Sequence, residues 1–246
     1  MKLYFRNRLS IKKFFFNRFS ILTILTYLPY FLSSFAYAQD QETNDLLKKI
    51  SEDIYLLNDL EINTSNRTVI IPCNVNMTSG LIEVLLCCPE GKVHESLLTT
   101  RVSPLEFQTA LLLLGLDPVN EIPDDPSKAD PLSSYKTIET LGDSLLLFLE
   151  TEKEGKVIRE PIETFIRDER TKSSVSHVTW LFKGAVTHQS GHVLVDPNVT
   201  IISTYIDPVS LMELNASSKF NDELFYVNEA AKLTKGQSVK LILQAL

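Results

Sequence analysis

The rhythm of apolar and polar residues changes several times along this chain, and each change predicts an element. Residues 19–37 form a largely apolar run, broken by Pro29 and closed by Ala36-Tyr37-Ala38 before polar Gln39. Residues 39–66 open polar and then place Leu46, Leu47, Ile50, Ile54 and Leu57 at three- and four-residue steps. That spacing gathers apolar side chains on one helical face and predicts an N-terminal amphipathic helix. From Thr68 the pattern turns to β. Residues 69–75, 80–88 and 93–100 are apolar runs separated by turn residues, including Pro89-Glu90-Gly91, and predict an antiparallel pair followed by a third strand.

Ser103-Pro104-Leu105-Glu106 combines a capping serine, a proline suited to the first helical position and a glutamate three residues after the cap. The helix it opens runs through Leu111-Leu112-Leu113-Leu114 to Gly115, and four leucines in a row predict burial against a sheet. Pro118, Pro123, Pro126 and Pro131 make residues 117–134 a long loop. Beyond it, residues 144–150 and 156–161 read as a hairpin around Glu154-Gly155. Residues 175–182, 192–195 and 200–206 read as short strands, Asp207-Pro208 as the start of a short helix through Leu214, and residues 238–243 as a closing strand. The sum is one α+β domain over residues 67–246. It has a mainly antiparallel β-sheet and a buried leucine-rich helix, with an extra N-terminal helix in residues 39–66.

Charge adds a destination. Lys2, Arg6, Arg8, Lys12, Lys13 and Arg18 precede the apolar run, and Ala36 and Ala38 occupy the small-residue positions of a cleavage site. Residues 1–38 therefore read as a signal peptide, and the remaining chain as exported, periplasmic or extracellular. The run is also about the ~20 residues a bilayer-spanning helix needs, but Pro29 disfavours one unbroken helix, and no stable membrane span is expected after cleavage. Removal takes away six of the 24 basic residues and none of the 31 acidic ones, so the formal net charge falls from −7 to −13. Such a chain repels phosphate backbones, and nucleic acid is not an expected partner.

Candidate chemistry is sparse. His94, Glu95 and Ser96 bring a base, a carboxylate and a hydroxyl together in sequence, but in a regular strand His94 and Ser96 share one face while Glu95 takes the other. Trp180, the one tryptophan, reads as core or as a stacking platform for a ligand. Cys73 could bridge to Cys87 or to Cys88, whose side chains point to opposite faces, or all three could be packed thiols. His188 and His192 stand four apart, but Ser190-Gly191 between them favours a turn, and zinc wants a third protein ligand, so no metal and no cofactor is expected.

The stretch Glu83-Val84-Leu85-Leu86, Gly91-Lys92-Val93-His94-Glu95-Ser96-Leu97-Leu98 and Leu111-Leu112-Leu113-Leu114-Gly115 resembles the YdjY-like family of exported bacterial proteins. Trp180-Leu181-Phe182-Lys183-Gly184 and Tyr205-Ile206-Asp207-Pro208 fit the same pattern. The resemblance implies a bacterial envelope location and a common fold, and it carries over no catalytic residue. The ferredoxin-like label attached to some relatives does not suit a chain with three cysteines, since a four-cysteine cluster needs more thiols. The function expected is a non-catalytic module that binds an envelope protein or a small ligand. A hydrolase centred on His94 is the alternative.

Overall fold

Where an extra N-terminal helix was expected in residues 39–66, the described part of that segment makes three antiparallel strands. They are β1 (Leu47–Lys49), β2 (Ile54–Leu57) and β3 (Leu60–Asn63). Asn58, with φ of 50°, turns β2 into β3 so that Leu57 faces Leu60 across the hairpin. A short apolar run fits either period, and burial decides between them. The meander places Leu57, Leu60 and Ile62 in the core. A single helix would have offered one stripe with less to pack against. The computed structural model describes residues 46–118, 142–175, 178–185, 200–207 and 209–246, within which Leu47–Leu246 form one unit. The leader, most of the proline-rich loop, the expected strand at 192–195 and both His188 and His192 lie outside the described residues.

The rest is mostly β. The strands are β4 (Thr68–Val75), β5 (Val84–Cys87), β6 (Ser96–Thr99), β7 (Ser144–Lys153), β8 (Lys156–Pro161), β9 (Ile166–Asp168), β10 (Ser173–Ser174), β11 (Thr179–Phe182), β12 (Thr200–Ser203), β13 (Met212–Asn215), β14 (Phe225–Val227) and β15 (Ser238–Ala245). Hydrogen-bonded neighbours run β4, β15, β7, β11, β13, β12, β5, β6 and back to β4, closing an eight-stranded barrel. The expected α+β sheet with packed helices is thus replaced by a barrel with a single short α-helix among the described residues. Closure satisfies the backbone edge that an open sheet would leave bare.

Two strands fork to make this possible. One edge of β4 pairs first with β3 and then with β6, and one edge of β7 pairs first with β11 and then with β8, while β15 fills the gap between β4 and β7. The expected pairing of residues 69–75 with 80–88 does not occur. β5 instead lies parallel to β6 and antiparallel to β12. β12 and β13 are also parallel, joined by the crossover at 204–211. Where a helix was expected from Asp207, that residue's carboxylate does cap the N–H of Val209 (3.0 Å), but the turn feeds β13. A three-stranded sheet, β10–β9–β14, flanks the barrel.

The helix α1 (Pro104–Leu113) has its full capping box, with Ser103 and Glu106 bonded reciprocally. Only Pro104, Phe107, Ala110 and Leu111 within it are buried. At 100° per residue, four successive leucines sweep about 300° around the axis, so they cannot all face one sheet. Leu105, Leu112 and Leu113 remain 58%, 47% and 44% exposed. The core itself is one apolar cluster that includes Trp180, Phe107, Phe165, Phe182 and Leu241. Full burial of each such side chain is worth about 1.5–3 kcal/mol.

Candidate functional site

Residues 93–95 are not strand but one turn of 3-10 helix, which throws three neighbouring side chains in different directions. His94 is 78% exposed, and its Nε2 lies 3.7 Å from Glu95 Oε2. Ser96 is fully buried at the start of β6, where its Oγ donates to the Leu98 carbonyl at 2.7 Å. The structure therefore separates the base from the hydroxyl, and the trio forms no relay.

Lys92 continues the line inward, reaching Glu95 at 3.7 Å and Asp207 Oδ2 at 3.4 Å. Asp207 stands on the crossover, and its carbonyl accepts from Lys183 Nζ at 2.6 Å. Lys183, just past β11, pairs with Glu213 Oε2 at 3.0 Å, and Lys219 Nζ donates to Glu213 Oε1 at 2.7 Å. Met212 and Leu214 belong to the core, so the strand alternation turns Glu213 to the opposite face, beneath the crossover. Ser203, in register with Glu213, donates to Ser210 Oγ at 3.0 Å, and Ser210 donates to the Asp207 carbonyl at 3.0 Å. Burial pushes the Lys183 ammonium below its ordinary pKa, against the pull of Glu213. A carboxylate held between two ammonium groups and sealed from water locks the crossover onto β13. Sequence reasoning missed this triad, because Lys183, Glu213 and Lys219 have no spacing that marks them.

Trp180 is core. Its indole N–H donates to Glu163 Oε1 at 3.1 Å, and burial raises the Glu163 carboxyl above its ordinary pKa. A ring sealed in this way offers no stacking platform. The three cysteines are free and buried. Strand β6 runs between them, since Thr99 pairs with Asn74 on one side and with Cys87 on the other. Two strand spacings, about 9–10 Å, therefore part Cys73 from Cys87 and Cys88, more than the ~7 Å a disulfide tolerates. Burial pushes the Cys73 thiol up to about 12 and the Cys88 thiol to about 11, so neither is a thiolate at neutral pH. Among the described residues no three His, Cys, Asp or Glu side chains converge for a metal ion, and no helix is long and apolar enough to cross a membrane.

One surface open to a ligand among the described residues is the outer side of α1. Leu105 and Leu112 lie seven residues apart, and Leu113 eight from Leu105, so the three exposed leucines share one side of the helix. At its N-terminal end a groove of about 750 Å³ is lined by Cys88, Pro89, Glu90, Arg101, Ser103, Pro104 and Leu105. The Cys88 thiol, neutral as argued, is part of its apolar wall. Asn58, in the β2–β3 turn, donates to Glu106 and fixes the helix start.

Fold and surface together define a closed β-barrel carrying one half-exposed helix. Residues 60–243 match the YdjY domain family model, and the chain belongs to that family. No curated protein and no solved structure matches it.

Proposed function

We propose that this protein is exported and acts as a non-catalytic module, binding a protein partner of the bacterial envelope through the leucine face of α1. The observation that carries the reading is the exposure of Leu105, Leu112 and Leu113 beside an apolar groove whose rim holds Glu90 and Arg101. Apolar patches with polar rims are the usual composition of partner-binding surfaces. The basic start, apolar centre and Ala-x-Ala end of residues 1–38 support export. The hydrolase alternative loses support from the placement of its own residues, a base in solvent and a hydroxyl committed to a backbone carbonyl.

The test places a photo-crosslinking amino acid at Leu112 and, as a control, at exposed Lys240 on the barrel wall. A discrete adduct from Leu112 alone, abolished by Leu105→Lys, is the expected result; adducts from neither position, or equally from both, would overturn it. N-terminal sequencing of the recovered protein tests export. A chain beginning at Gln39 is expected, and one beginning at Met1 contradicts cleavage.

A further inference from the structure

Strand β8 has one strand neighbour, β7, and among the described residues its other edge is open. Which backbone groups face that edge follows from the turn. Glu154 and Gly155 form a two-residue loop with φ of 55° and 73°, so the flanking Lys153 and Lys156 make a hydrogen-bonded pair. Antiparallel alternation then gives the same status to Thr151 with Ile158 and to Leu149 with Glu160. The peptide groups of Val157, Arg159 and Pro161 therefore point outward. Pro161 has no N–H, which leaves Val157 and Arg159 as the outward donors. Val157 is 68% exposed.

The strand reads Lys156-Val157-Ile158-Arg159-Glu160, with opposite charges at equal distances from Ile158. We infer that β8 pairs antiparallel with β8 of a second copy of this chain, about a two-fold axis through Ile158. In that register Val157 and Arg159 of one copy exchange four N–H to carbonyl bonds with Arg159 and Val157 of the other. Ile158 meets its own counterpart on the axis, and Lys156 faces Glu160 at both ends. Moving the axis to Arg159 sets that residue against itself and asks Pro161 for a donor it lacks. Moving it to Val157 sets Glu154 against Glu160. Charge thus selects one register, and Pro161 ends the ladder there. The pairing also brings a carboxylate beside Lys156, which stands opposite Lys153 within the hairpin. It stands independently of what the leucine face of α1 captures.

Sedimentation of the purified full chain, up to about 1 mM because so short an interface is weak, is the experiment. A concentration-dependent dimer is expected for the native sequence. Lys156→Glu and Glu160→Lys each set like charges opposite one another twice and should raise Kd about 10- to 100-fold. The double variant restores opposite charges and should return Kd to within about threefold of the original. Circular dichroism of each variant confirms an intact barrel. A native chain that stays monomeric overturns the inference. So does a dimer indifferent to Lys156→Glu, or a folded double variant that fails to recover.

Discussion

The side chains of residues 92–95 and the triad of Lys183, Glu213 and Lys219 both carry charge, both touch the β12–β13 crossover and are joined through Asp207, yet they differ in what holds them. The first is contiguous in sequence and lies toward solvent, with His94 and Lys92 side chains 78% and 47% exposed. The second is gathered from a loop after β11, a strand and a 3-10 turn, and Glu213 and Lys219 are each 1% exposed. Adjacent residues diverge when the backbone turns between them, whereas distant ones converge when a crossover folds over a strand. The consequence is energetic. Exposed pairs are worth about 0–1 kcal/mol, while removing one member of a buried set costs about 3–5 kcal/mol, because the remaining charge stays in a dry site.

The sharpest way to break the comparison is Glu213→Leu, which leaves Lys183 and Lys219 facing each other in the interior. Loss of about 3–5 kcal/mol is expected, read as a shift of the urea midpoint at unchanged slope. A loss below about 1 kcal/mol would mean that water reaches the triad and that the two regions are alike.

A second buried carboxylate tests burial by pH. Burial raises Glu163 above its ordinary value of 4.5, with the Trp180 N–H pulling the other way. The folded state therefore holds this proton more tightly than the unfolded chain does. The contribution is fully present below pH 4.5 and is lost as pH rises through the raised value. Glu163→Gln, which keeps an acceptor for the indole, should remove that loss. The expected result is a variant more stable than the native chain at pH 7, with an advantage that shrinks toward pH 4. Urea titrations of both proteins at the two values decide it, and parallel pH dependence would place Glu163 in contact with water.

These two experiments bear on what the amino-acid pattern could reveal. The capping box of Ser103 and Glu106, the Glu154-Gly155 hairpin and the closing strand at β15 were all legible, since each is written in local residues. The class of fold was not. Helical spacing of Leu47, Ile50, Ile54 and Leu57 is compatible with two short strands and the turn between them, and barrel closure depends on β4 and β7 each having two partners along one edge. Nothing local records such a fork. The candidate surface was not legible: the leucines of α1 read as buried, and the exposure of Leu105, Leu112 and Leu113 follows only from the 300° the leucine run sweeps and from which arc meets the barrel. The triad was invisible, because strand alternation hides Glu213 between Met212 and Leu214 without a hint of which face is covered.

Smaller effects sharpen the other side of the comparison. Lys92→Ala removes contacts to Glu95 and Asp207 at 3.7 Å and 3.4 Å from a half-exposed ammonium. It should cost less than about 1 kcal/mol, and less still at high salt, where exposed pairs are screened. A salt-insensitive loss above about 2 kcal/mol would mean that Lys92 is an outlying member of the buried set, joined to it through Asp207.

His94→Ala is the smallest expected change and the one with most bearing on function. The ring is exposed, and its one close charged neighbour lies at 3.7 Å, so truncation should stay within about 0.5 kcal/mol of native stability. Because the fold is untouched, any effect on partner capture or turnover can be assigned to the imidazole itself. If α1 is the binding surface, the Leu112 adduct forms equally well in His94→Ala. If the adduct disappears while stability holds, the exposed motif is a contact in its own right, and the apolar face of α1 is only part of a larger surface that includes the turn at residues 93–95.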